Sequence, residues 1–274
     1  MSLQRGASLK PQGDVLTVRV SNDGMEDLCC LLDRHGIGQE NGSVMTTEPR
    51  SIISSSGQEA LDRETNEMAW QEMAYQLRQE SNVGGNYVMT MLLAGAVAAA
   101  GLWTDTLHIV IGAMVIAPGF EPIIRIPFGL MGRSGDGARQ GLVGTALGYA
   151  ALAIGAALAL VVLQAIDPSP VSLGERHWVQ YWSSVQPSSV LIALVAGAAG
   201  AVTIASGRSV LTAGVMIALA LIPAMSIAGM AVAAGDLALA GKGFVRWATD
   251  AACVAFSGGG LFMAKRMLQH PRTS

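Results

Sequence analysis

Residues 112–125 read GAMVIAPGFEPIIR. An apolar run suited to a membrane gives way to Pro118, Gly119, Glu121, Pro122 and Arg125 within eight residues. A charged side chain at the centre of an apolar helix costs at least about 2.5 kcal/mol on insertion scales, so it faces a cavity or a partner. Glu121 precedes Pro122, a good first residue for a half-helix, which sets the carboxylate beside a positive helix end. Arg125 follows four residues later on the same face. Two chemistries fit this arrangement: a site for a solute or proton, or two charges that neutralise each other. A second interruption, or a kink alone since it holds one proline, is expected at Leu221-Ile222-Pro223-Ala224, because an interior proline removes a helix hydrogen bond at a cost of about 3 kcal/mol. Arg246 and Asp250 repeat the four-residue spacing of opposite charges in reverse order, with Arg246 close enough to an interface to snorkel. In lipid, freed main-chain groups need protein, water, an ion or a substrate beside them. The candidate solute or ion pathway is therefore Pro118, Gly119, Glu121, Pro122, Arg125, Pro223 and Asp250.

Other chemistries are excluded. No nucleophile–base pair, metal-ligand spacing or phosphate loop stands out, so no enzyme, metal or cofactor is expected. Cys29, Cys30 and Cys253 are too few and too poorly spaced for a disulfide framework or a zinc site. His108 reads as an ordinary residue near an outer helix end. A net charge of -3 offers no basic surface for nucleic acid.

The elements that must position these residues follow from composition. The chain is 51% hydrophobic and 14% charged, and most of its charge lies in residues 1–82. A soluble N-terminal region therefore precedes a membrane domain. Residues 1–57 are expected to form a small α+β unit, ferredoxin-like in its order: a strand over 15–20, a helix over 24–36, and strands over 43–47 and 51–55. Residues 58–82 are expected to form a linker helix. Six apolar segments follow near 84–103, 106–131, 139–165, 188–206, 209–234 and 243–264, each close to the ~20 residues that cross a bilayer core. They divide into membrane repeat 1 (83–165), an external loop (166–187), membrane repeat 2 (188–264) and a cytoplasmic tail (265–274). Flanking bases favour both termini on the cytoplasmic side of a bacterial inner membrane, and Trp103, Trp178, Tyr181, Trp182 and Trp247 then fall near the outer interface.

The membrane domain carries an internal echo. Slid by 102 positions, Leu92, Ala94, Gly95, Ala96, Ala99, Gly112 and Met114 fall on Leu194, Ala196, Gly197, Ala198, Ala201, Gly214 and Met216. After a two-residue slip, the pattern GDxAxxG starting at Gly135 matches that starting at Gly235. Three crossings per half make the halves inverted, an arrangement common among secondary transporters. If the broken segments are re-entrant loops instead, each half crosses twice and the inversion fails.

The stretch GLWTDTLHIVIGAMVIAPGFEPI (101–123), then SGDGARQG, VLIALVAGAAGAV (190–202) and GVMIALALIPAMSIAGMAVAAGD (214–236) resembles the uncharacterised hydrophobic-domain membrane proteins grouped as domain of unknown function 389. The resemblance covers roughly residues 81–264 and implies membrane location without a substrate. Where the family tends to have APLxGPI this chain has APGFEPI, so Glu121 replaces a small residue. Paired prolines are common at the family's second break, where this chain has Ile222-Pro223. An asparagine common in the last helix corresponds to Asp250.

The sequence thus leads to an all-α polytopic membrane domain, two inverted three-helix repeats with broken second helices, plus a small N-terminal α+β domain. Two functions remain open. One is a transporter or channel for an unidentified small solute or ion. The other is a membrane-anchored signalling or scaffold protein whose N-terminal domain senses a ligand or assembles an oligomer. Glycine-rich helix faces and the small N-terminal unit point to a homo-oligomer in the lipid bilayer.

Overall fold

Prolines and glycines punctuate the apolar region, and the helices stop where they fall. The computed structural model describes residues 2–9, 12–18, 28, 31–32, 34–37, 42–45, 83–131, 135–167, 171–206 and 219–269. The chain divides into two units, Met1–Met73 and Ala74–Ser274.

In the first unit, β1 (Ser2–Leu9) pairs antiparallel with β2 (Gln12–Thr17). The ladder runs from Ser2 opposite Thr17 to Leu9 opposite Gln12, with an irregularity between Gln4 and Ser8. Gly6 lies in that irregularity at φ +63°, and its N–H donates to Asp14 Oδ1 at 2.8 Å. The strand Ser2–Leu9 is not expected from the sequence, because its polar residues mask the alternation. The strand expected over 15–20 is found earlier, at Gln12–Thr17. The expected strand over 43–47 is corrected: Ser43, Val44 and Met45 are not in a strand, and the rest of it lies outside the described residues. So do the strand over 51–55 and the linker helix over 58–82. Of the expected helix over 24–36, Leu28, Leu31, Leu32 and Arg34 are helical, His35 and Gly36 form a turn with Gly36 at a φ of +66° that suits a residue without Cβ, and the rest lies outside the described residues.

In the second unit the helices are α1 (Gly85–Trp103), α2 (Leu107–Ile116), α3 (Phe120–Met131), α4 (Gly135–Ile166), α5 (His177–Ser183), α6 (Pro187–Ala205), α7 (Leu221–Ala233) and α8 (Leu237–Gln269). Among the described residues, α1, α4 and α6 are long and apolar enough to cross a membrane, and α2 with α3 makes a fourth if the bent pair is one span. The six expected spans are thus only partly matched. α8 has the length, at 33 residues, but Asp250 and the run Gly258–Gly260 lower its apolarity. α7 has 13 residues, so it rises about 20 Å and is short of a ~30 Å hydrocarbon core.

The packing is that of helices in lipid. Exposed residues include Leu142, Leu147, Ile154, Leu158 and Val161 on α4 and Leu191 and Val195 on α6. Apolar outer faces of that length are stable in hydrocarbon and not in water. Small residues face inward and bring backbones together. A Cβ on Gly95 of α1 would run into the Leu152 carbonyl of α4, and one on Gly155 of α4 into the Leu92 carbonyl of α1. α1 packs on α4 and α6 on α8, while the half-helices lie between them: α3 against α4 and α8, α7 against α8, α4 and α1. Leu221 to Ala231 of α7 are buried on every side, which fits its uniformly apolar sequence.

Candidate functional site

The first break begins at Pro118. With no N–H and a restricted predecessor, it holds Ala117 extended at φ -76°, ψ 119° and stops α2 at Ile116. The Ala117 N–H still reaches the Ala113 carbonyl (3.1 Å), and the Gly119 N–H reaches the Ala117 carbonyl (2.9 Å). α3 then starts at Phe120, bent by 44° from α2. The interruption is shorter than the sequence suggested, since Glu121 and Pro122 already lie in the first turn of α3. Gly119 is left with a buried carbonyl, and the hydroxyl of Tyr149, midway along α4, donates to it at 3.1 Å. Tyr149 is 1% exposed.

The other candidate residues of this break follow within the next six positions. Pro118 and Glu121 are half-buried, and Gly119, Pro122 and Arg125 are buried. Pro122 seats on α4, where a Cβ on Gly144 would come within 3.3 Å of its ring. Arg125 donates through Nη2 to Gln140 Oε1 of α4.

The second break differs from expectation. Pro223 is not inside an interruption but in the first turn of α7, where a missing N–H is tolerated. The residues out of helical structure are Leu219 and Ala220, and residues 207–218 are outside the described set. The Ala220 N–H donates to Asp250 Oδ2 at 3.0 Å. That oxygen also accepts from Arg246 Nη2 at 3.3 Å, one helical turn earlier on α8. Arg246 does not snorkel: it is 7% exposed, and its Nη1 donates to the Ser184 carbonyl at 3.0 Å. A carboxylate that caps a helix start and pairs with a guanidinium recovers part of the several kcal/mol lost on burying each charge.

Tyr149 brings the two breaks together. Its ring meets that of Trp247 at 5.1 Å between centroids, tilted by 57°. Trp247 follows Arg246 on α8, and Glu121 and Asp250 both lie close enough to act on Tyr149 electrostatically. Tyr149 is not among the residues the sequence singles out, and Trp247 is expected from it near the outer interface. A lone tyrosine on an Ala-rich helix is a faint signal, although the same offset separates Gly119 from Ala220 and Tyr149 from Asp250.

A cavity of about 800 Å³ is lined by Gly174, Gln180, Ser184, Asp236, Lys242 and Val245, among others. None of Pro118, Gly119, Glu121, Pro122, Arg125, Pro223 and Asp250 lines it, but Ser184, which does, accepts from Arg246. α5, which supplies Gln180 and Ser183 to that lining, is held at its start by Asp105, whose carboxylate accepts the His177 and Trp178 N–H groups (3.2 and 3.0 Å). Arg176 lies over the Trp103 ring at 4.1 Å and donates to the Trp103 carbonyl. Burial lowers its pKa from the ordinary value, opposed by Asp105 and Asp167. Among the described residues, no three His, Cys, Asp or Glu side chains gather to hold a metal ion.

Residues 114–256 match the family described as "Domain of unknown function (DUF389)". "Uncharacterized protein MJ0678" of Methanocaldococcus jannaschii is 25% identical over 239 residues, covering 84% of this chain and 70% of that protein. No solved structure matches the chain.

Proposed function

This chain belongs to the DUF389 family, and on that premise we propose that it carries a small solute or ion across a membrane through the helix breaks. The observation that supports the reading is the treatment of the breaks. Each leaves a main-chain polar atom at a buried point, and a side chain from a long helix answers it: Tyr149 for Gly119, Asp250 for Ala220. Half-helix ends of this kind are where transporters hold polar cargo. The pathway residues are Pro118, Gly119, Glu121, Pro122, Arg125, Pro223 and Asp250, to which Tyr149 and Arg246 are added.

The proposal includes six crossings in two inverted repeats. The matching helix partners support it, since α1 lies on α4 as α6 lies on α8, and α3 on α4 as α7 on α8. So does the register: a Cβ on Gly95 would meet Leu152 and one on Gly197 would meet Val254, and both pairs shift by 102 positions. The proposed setting is a bacterial inner membrane with both termini cytoplasmic and a homo-oligomeric assembly. No catalysis is assigned.

The test is flux. Purified protein in proteoliposomes is screened with small anions, cations and neutral solutes. For a transported solute, Glu121→Gln should change the rate or its pH dependence with the thermal unfolding midpoint retained. Unchanged flux for such a solute counts against the pathway. One observation favours the alternative of a membrane anchor: α1 and α4 meet through glycines with their backbones in contact, as a dry bundle would. An absence of flux across the whole panel supports that alternative.

A further inference from the structure

Buried charge concentrates at the start of α7. Asp250 is 1% exposed and Arg246 7% exposed. One oxygen, Asp250 Oδ2, takes both the Ala220 N–H (3.0 Å) and Arg246 Nη2 (3.3 Å). Asp250 Oδ1 and Arg246 Nε are buried with no hydrogen-bond partner. The positive side of the balance is a full guanidinium charge plus the end of a 13-residue helix, worth about half a charge. The negative side is a single carboxylate. Arg246 and the helix end both repel a cation, and each favours an anion.

We infer that Arg246 and the Ala220 N–H form a seat for a small monocarboxylate anion, with the Asp250 side chain as its internal occupant. An incoming carboxylate would accept from the same two donors, and Arg246 Nε offers it a further one. Asp250 competes for the seat, so the wild-type chain holds such an anion weakly. The cavity of about 800 Å³ is the neighbouring space: Ala220, Arg246 and Asp250 do not line it, but Val245 and Ser184 do, Arg246 follows Val245 on α8, and the Ser184 carbonyl accepts from Arg246 Nη1. Lys242, one turn before Arg246, also lines that cavity, as does Asp236, so the lining carries one base and one acid. The inference rests on the transport reading above only for its physiological use. The seat itself is defined by binding.

The test uses the full chain in detergent, titrated with sodium formate against bulky sodium gluconate at constant ionic strength and followed by thermal unfolding. Removing the competing charge in Asp250→Asn should lower the half-saturating formate concentration at least about tenfold. Arg246→Gln on that background should abolish the response. Equal responses of wild type and Asp250→Asn, or a response that survives Arg246→Gln, overturn the seat. If Asp250→Asn does not fold, Asp250→Ala prepared in formate provides the second reading. Formate, but not gluconate, should restore a monodisperse species with the wild-type midpoint, and failure of that rescue overturns the inference. Formate binding without flux of any solute keeps the seat and removes transport. Flux of formate that ignores both Asp250→Asn and Arg246→Gln keeps transport and removes the seat.

Discussion

Tyr149→Phe removes one oxygen and leaves the ring in its tilted contact with Trp247. That hydroxyl is the donor that reaches the buried Gly119 carbonyl, at 3.1 Å, and no helical N–H replaces it among the described residues. Leaving a buried acceptor unanswered costs about 1–3 kcal/mol, because it loses water on folding and gains nothing in exchange. Tyr87 provides an internal control. Its hydroxyl donates at 3.0 Å to the Gly144 carbonyl, but Gly144 lies inside α4 and keeps its helix partner. Tyr87→Phe therefore removes only a second bond, worth about 0.5–1 kcal/mol. For a unit of this size each kcal/mol moves the unfolding midpoint by about 2–4 °C. With a central cost of about 2 kcal/mol, Tyr149→Phe should fall by about 4–8 °C and Tyr87→Phe by about 1–4 °C. The assay is thermal unfolding of purified protein in one detergent, with both variants measured side by side. Equal shifts, or a larger one for Tyr87→Phe, would show that the break does not depend on Tyr149.

Two further outcomes follow from the geometry. Gly95→Ala should destabilise the protein by about 1–3 kcal/mol, because its Cβ meets the Leu152 backbone and α1 must move off α4; Gly112→Ala, with open space around it, should be neutral or stabilising by up to about 1 kcal/mol. Unfolding midpoints of the two variants decide between them, and similar losses would contradict the close approach. Asp105 holds a left-handed φ of +55° and caps α5 through two N–H groups, so Asp105→Ala should loosen that helix by about 1–2 kcal/mol. Faster hydrogen exchange at His177–Ser183, smaller in Asp105→Asn, is the expected signature; unchanged exchange would refute the cap.

Some of this molecule is written in local chemistry. Pro118 ends α2 wherever it is placed, since a missing N–H and a clash with the preceding turn are covalent facts. The lengths of α1, α4 and α6 follow from uninterrupted apolar runs, and Gly36 stops its helix because φ there is positive. Other features needed the tertiary structure. Whether Pro223 breaks a helix or begins one depends on where the preceding turn ends, and the ring suits either. The partners of the freed main-chain atoms are remote: Tyr149 and Asp250 each stand 30 residues from the atom they answer, and no periodicity links positions so far apart. Arg246, legible as a snorkelling residue, is buried because the Ser184 carbonyl and Asp250 meet it in the interior. Proline and glycine act through their own bonds, so their effects can be read along the chain. The pairing of buried polar groups is decided only by which helices come to lie side by side.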